Sequence, residues 1–136
     1  MSNLAAAQAI YEAFGRGDIQ FILEQVADDI RWDQREWPGP AHGGAVPTLV
    51  PRAGKAGVGE FFAALAGLEF HGFTLTNLLE GANQVAAIVE LDATVKATGT
   101  RVQDTEVHLM TFNDDGKIVE LRHILDTAKA LDAYGH

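Results

Sequence analysis

"DTEVHLMTFNDDGKIVELRHILD", residues 104–126, reads as two strands joined by a turn, with "NDDG" at 113–116 as the hairpin signal. Side chains alternate along a strand. In the first arm Glu106, His108, Met110 and Phe112 share one face, and Thr105, Val107, Leu109 and Thr111 the other. In the second arm His123 shares a face with Val119, Leu121 and Leu125, while Arg122 goes with Ile118, Glu120, Ile124 and Asp126. The hairpin therefore offers two histidines, one per arm, on faces otherwise rich in apolar groups.

Upstream, residues 84–96 and 68–80 read as two more strands, and "TG" at 98–99 is a second hairpin signal. In "VAAIVELDATVK" one face is Val85, Ala87, Val89, Leu91, Ala93 and Val95, wholly apolar; the other carries Ala86, Ile88, Glu90, Asp92, Thr94 and Lys96. Two arrangements are open. Either the apolar face packs on helices and the carboxylates meet water, or the mixed face lines a pocket and the apolar face meets another chain.

The N-terminal half is helical. "NLAAAQAIYEAF" puts Leu4, Ala7, Ile10, Tyr11 and Phe14 at helical spacing, and Gly15 and Gly17 end it. Asp18 is a good N-cap for a short helix "IQFILEQVA". "DDIRWDQ" reads as a brief strand, and "KAGVGEFFAALAG" as a third helix with Val58, Phe61, Phe62 and Leu65 on its apolar face. Residues 35–54 hold all four prolines and four glycines and form a long loop, of the kind that often borders a binding site. A last helix, "TAKALDAY", is capped by Asp126. Helices followed by antiparallel strands imply an α+β domain.

The 136 residues suggest one domain spanning 1–136. With no cysteine, disulfides and thiolate metal sites are excluded and a cytoplasmic setting is expected. The N-terminus lacks a basic leader, and no apolar run approaches the ~18 residues that span a bilayer, so neither export nor a membrane partner is expected. The net charge of −9, from 19 acidic and 10 basic residues, argues against a nucleic-acid partner. No HxH or HExxH spacing appears, and no metal is expected.

The stretches "YEAFGRGDIQFILEQVADDIRW", "GKAGVGEFFAAL" and "ATGTRVQDTEVHLMTFNDDGKIVELRHILD", with the order of elements, resemble the nuclear transport factor 2-like superfamily, particularly its SnoaL-like polyketide cyclase branch. The resemblance implies a cone-shaped, cystatin-like fold: a curved mixed or antiparallel sheet wrapped around N-terminal helices, with a hydrophobic pocket at its open end. It favours the mixed strand face as the inner one, with Glu90, Asp92, His108 and His123 inward. It leaves Val85, Val89, Leu91 and Val95 for an outer surface that pairs two copies into a homodimer.

Carried over position by position, the acidic residue that such cyclases and limonene epoxide hydrolases bear on the closing strand corresponds to His123. The hydrolases' arginine and aspartate correspond to Glu90 and Asp92, and their water-holding tyrosine and asparagine to Trp32 and Gln34. For the more loosely similar ketosteroid isomerases, the general base falls near Gln34 or Asp33, the tyrosine donor near Ile10 and the protonated aspartate near His108. Each named chemistry thus has a substituted residue here. Scytalone dehydratases, a further branch, do use two histidines with an aspartate.

Histidine titrates near neutrality and serves as acid or base. The expectation is therefore a cofactor-free isomerase, cyclase or dehydratase, with His123, Asp92 and Glu90 catalytic and His123 within hydrogen-bond reach of one of the two carboxylates. Trp32, Gln34, His108, Trp37 and Leu125 would contact a small hydrophobic, oxygenated ligand. The alternative is a ligand-binding or interaction domain of the same fold without catalysis.

Overall fold

A computed structural model of the chain describes residues 2–136. Helix α1 (Asn3–Gly15) starts at Ser2, whose hydroxyl accepts the Ala5 N–H at 3.1 Å. It ends where Gly17 adopts φ 75°, a conformation glycine takes without steric cost. Asp18 caps α2 (Ile19–Gln25) by accepting the Phe21 N–H at 3.1 Å. The chain then runs extended as β1 (Val26–Trp32), so Val26 and Ala27 belong to the strand and not to the helix expected there.

The long loop contains two short 3-10 turns, Pro40–Gly43 and Pro47–Leu49, and leads to a two-residue strand, β2 (Arg52–Ala53). Helix α3 (Gly54–Ala64) precedes β3 (Leu68–Glu80), β4 (Gln84–Val95), β5 (Thr100–Phe112) and β6 (Ile118–Ile124). Helix α4 (Thr127–Ala133) is capped by Asp126, which accepts the Lys129 N–H.

The sheet order is β2-β1-β6-β5-β4-β3. All neighbours are antiparallel except β1 and β6, which run parallel, so the curved, unclosed sheet is mixed. Register shifts in β3, between β5 and β6, and between β1 and β6 bend it. The shift at Thr111/Phe112 also turns Ile118 inward to 2% exposure, against strict alternation from His123.

The register decides which face looks in. Ala87 pairs with His108, and His108 with His123, so these three share a face. Along β4 that face is the wholly apolar one: Val85, Ala87, Val89, Ala93 and Val95 are at most 1% exposed. Val85 and Ala87 pack within the core built against α1 and α3, and Val89, Ala93 and Val95 are buried on the same face. Val85, Val89 and Val95 are therefore interior, the half-buried Leu91 lines the inner cavity, and the expectation that these four form an outer dimer surface is corrected. The outer face carries Glu90 and Asp92, opposite Thr105 and Gln103. A smaller apolar cluster joins Ala41, Val46 and Leu49 of the loop to Ala130, Leu131 and Tyr134.

Candidate active site

The inner face of the sheet, the helices and the 35–54 loop enclose a cavity of about 130 Å³. Its wall is mostly aromatic and aliphatic, including Phe14, Phe61, Phe62, Phe73, Leu91 and Met110. Val46, Thr48 and Leu49 bring the loop into it. Two polar groupings interrupt that surface.

The first is built on Asp33, just past β1. Asp33 has φ 55°, the sole non-glycine residue of positive φ among the described residues, and it is 0% exposed. Aspartate tolerates this left-handed conformation better than most residues, and such backbone outliers cluster at functional sites. The turn is anchored by the Asp33 N–H donating to the Leu121 carbonyl at 2.9 Å. It carries the carboxylate across to β6, where Oδ1 accepts the backbone N–H of His123 and Oδ2 meets its Nδ1, both at 2.7 Å.

Arg35 completes the cradle: it donates to the His123 carbonyl and lies 3.6 Å from Asp33 Oδ1. The His123 ring stacks on Phe61 with centroids 5.0 Å apart and lies beside Trp32. Burial alone would lower its pKa, but the charge and hydrogen bond of Asp33 outweigh burial and hold it above its ordinary value.

The second grouping is a chain of three residues. Tyr11 Oη lies 2.6 Å from His108 Nδ1, and His108 Nε2 lies 3.0 Å from Glu106 Oε2. Burial, the largest influence, lowers the His108 pKa, so this imidazole is neutral. Burial also works against the Glu106 charge, but the His108 hydrogen bond overcomes it and keeps that pKa low. Burial raises the Tyr11 pKa far above its usual range, and the phenol keeps its proton. The two histidine rings meet edge to face, centroids 4.7 Å apart.

The sequence profile of the SnoaL-like domain matches residues 7–121. The chain belongs to the SnoaL-like family. No curated protein matches the sequence at a significant level. Among solved structures, an NTF2-like protein of unknown function from Burkholderia pseudomallei superposes with TM-score 0.81 at 22% identity, covering 100% of both chains. A Mesorhizobium loti protein assigned to the SnoaL-like polyketide cyclases gives 0.70 at 28% identity over 91% of this chain and 99% of its own. TerC, crystallised with polyporic acid, gives 0.75 at 24% over 98% of each.

In this SnoaL-like protein, Trp32 and His108 of the matched region and His123 and Leu125 just beyond it all line the cavity. Four other expected site residues lie elsewhere. Glu90 accepts from the Thr105 hydroxyl on the outer face, and Asp92 is held there by Arg101 at 2.6 and 2.8 Å. Neither carboxylate reaches His123, whose partner is Asp33. The physical reason is the pairing of Ala87 with His108, which turns the even-numbered residues of β4 outward. Gln34 donates to the Arg52 carbonyl at 3.0 Å and does not line the cavity, and Trp37 stands 84% exposed on the loop.

Residues not singled out for the site complete it: Tyr11, Asp33, Arg35 and Glu106. Two signals pointed near them. The isomerase-like tyrosine and base positions fell at or beside Ile10 and Asp33; Ile10 and Tyr11 both line the cavity, and Tyr11, one residue on, is the one with a hydroxyl.

Proposed function

We propose that this SnoaL-like protein is a cofactor-independent enzyme that moves a proton on a small hydrophobic, oxygenated molecule in an isomerisation, cyclisation or dehydration. His123 is the general acid–base group and Asp33 the carboxylate that orients it. The observation carrying this reading is the two-point grip of Asp33 on His123. It fixes the tautomer with the proton on Nδ1 and leaves Nε2 as the working nitrogen at the cavity wall.

In the forward step Nε2 takes a proton from a carbon next to a substrate carbonyl. The C–H electron pair becomes an enolate, and the imidazolium is stabilised by Asp33. The proton then returns from Nε2 to a second carbon in isomerisation, to a hydroxyl leaving as water in dehydration, or to the alkoxide formed by ring closure in cyclisation. Burial opposes the charged form, but Asp33 overcomes it and holds the His123 pKa above its ordinary value, which favours the imidazolium formed when Nε2 takes the proton. TerC's co-crystallisation with polyporic acid supports a small organic ligand for a cavity of this fold.

The test is deuterium exchange at the activated CH2 of 2-tetralone in buffered D2O, followed by NMR. Wild-type protein should accelerate exchange, and His123→Asn should slow it by about 100-fold or more while the protein remains folded. Exchange equal in the two proteins, with 2-tetralone bound by both, would leave ligand binding without catalysis as the function.

A second copy of the chain is the partner we infer for the outer sheet face. Ile88, Val107 and Ile124 form one apolar row across β4, β5 and β6 there, and Ile124 is 47% exposed. Sedimentation of Ile124→Glu as a monomer beside a dimeric wild type would support it, and a monomeric wild type would overturn it.

A further inference from the structure

We infer that the cavity selects uncharged aromatic molecules that carry a hydroxyl hydrogen-bond donor, and turns away carboxylates and other anions. The inference rests on the cavity being the ligand site of the proposed function, and it names the substrate class of that site.

Charge comes first. Among the described residues no lysine or arginine lines the cavity, whereas Asp104, Glu106 and Asp126 all do. Both Asp104 oxygens are engaged by backbone N–H groups, of Thr105 and of Asp126, so this carboxylate is fixed in place. Asp126 is likewise held as the N-cap of α4. Among the described residues the one cation that can form at the wall is the His123 imidazolium, and Asp33 neutralises it from behind. An anion beside the histidines would meet the buried charge of Glu106 at low effective dielectric, where Coulomb repulsion is strongest, while Asp104 and the exposed Asp126 add a water-screened repulsion.

Hydrogen-bond polarity comes second. Glu106 accepts the Nε2–H of His108, so neutral His108 presents a lone pair at Nδ1. Tyr11 must then donate its only proton to that lone pair across 2.6 Å. The opposite tautomer would aim an imidazole lone pair at a carboxylate. Consequently Tyr11 offers a ligand only oxygen lone pairs, and Glu106 Oε1, which no described residue hydrogen-bonds, offers only an acceptor. The Trp32 Nε1–H is buried without a partner and is not presented at the cavity surface. The polar wall around the two histidines is therefore acceptor-rich: there His123 Nε2 donates or accepts according to its proton, while the hydroxyls of Thr48 and Tyr134 line the cavity from the loop and the end of α4. A ligand fits when it brings an O–H to Glu106 or Tyr11 and, beside it, an oxygen to His123. An enol, a phenol or a hydroxyl next to a carbonyl has that pattern, and a carboxylate has none of the required donors.

Three probes of one shape separate these effects at neutral pH: 2-naphthol, 2-methoxynaphthalene and 2-naphthoate. Affinity is read by fluorescence titration, and occupancy of the site by the NMR shift of the His123 Cε1–H. The expected order is 2-naphthol tightest, its methyl ether weaker by about tenfold for the lost donor, and 2-naphthoate weaker by about a hundredfold. Glu106→Gln, which removes the charge and supplies an N–H donor, should shrink the naphthol-to-naphthoate ratio to under about tenfold. If 2-naphthoate or the methyl ether binds as tightly as 2-naphthol while shifting the His123 resonance, the selectivity is wrong and the acid–base reading of His123 stands. If no probe moves that resonance, the cavity is not a ligand site and both readings fall.

Discussion

Asp33 and Asp92 each hold a basic side chain at nearly the same distance: 2.7 Å from Asp33 to His123, and 2.6 and 2.8 Å from Asp92 to Arg101. By hydrogen-bond length the pairs are equivalent. By environment they are opposites. The Asp33 side chain is 0% exposed and sits behind an apolar cavity, while Arg101 is 58% exposed on the outer face. Water and salt screen the outer pair, and its long side chains lose entropy when ordered. The inner pair is unscreened, so Asp33 sets the tautomer, orientation and proton affinity of its histidine. The proposed chemistry rests on the desolvated pair, and the two faces of one sheet separate a buried carboxylate–histidine pair from a surface ion pair.

Removing the inner carboxylate is the strongest way to test that contrast. Asp33→Asn should destabilise the fold by about 3–5 kcal/mol, the usual cost of leaving one partner of a buried pair alone, with Arg35 left facing a neutral amide. Urea unfolding at neutral pH measures it. The same variant should abolish the His123-dependent exchange of 2-tetralone, because the imidazole loses its fixed tautomer. A loss below about 0.5 kcal/mol would place Asp33 with surface pairs and break the comparison.

The histidines give a smaller effect, with opposite signs. His123 has a folded pKa above its ordinary 6.5, so the fold binds its proton more tightly than the unfolded chain does. The stability it contributes is fully present below 6.5 and is lost as pH rises through the folded value. His108 has a folded pKa below 6.5, so its neutral form is the one the fold prefers. Its contribution is present above 6.5 and is lost as pH falls through the folded value. Stability against pH should therefore peak near 6.5, with His123→Asn flattening the alkaline flank and His108→Gln the acid flank. Thermal melts across the pH series show it, and an acid flank unchanged in His108→Gln would mean that this ring is not kept neutral.

How much of this was legible in the sequence differs between the two carboxylates. The hairpin at 113–116 fixes the pairing of His108 with His123, so alternation put both histidines on one face correctly. The α+β element order was readable from turn and cap residues, and α1, β3 and β6 lie where periodicity placed them to within a residue or two. Alternation along β4 gave two faces but not which one looks inward; that depends on the β4–β5 register, and the family resemblance tipped the choice to the wrong side. Asp33 was harder. Strict alternation after the inward Trp32 would send it outward, and only the turn at φ 55° brings it back. That turn exists because β1 runs parallel beside β6, a contact between segments about ninety positions apart that no local pattern announces. The two-residue β2 is too short to leave a periodic signal.

The smallest expected effect closes the comparison from the other side. Asp92→Asn removes one charge from the outer pair and leaves an amide that can still accept from Arg101 and Gln103. The hydrogen bond and charge of Arg101 hold the Asp92 carboxyl pKa below its ordinary value, which ties this pair's contribution to pH above the carboxylate range. Solvent reaches both partners, so little of that preference becomes stability. The melting temperature at neutral pH should be indistinguishable from wild type, 2-naphthol affinity unchanged, and 2-tetralone exchange unaffected. Raising the salt concentration should erase whatever difference low salt reveals, because exposed pairs are screened and the Asp33–His123 pair is not. An exchange rate cut severalfold by Asp92→Asn, with the fold intact, would show that the outer face communicates with the cavity through β4, and the separation of the two faces would then fail.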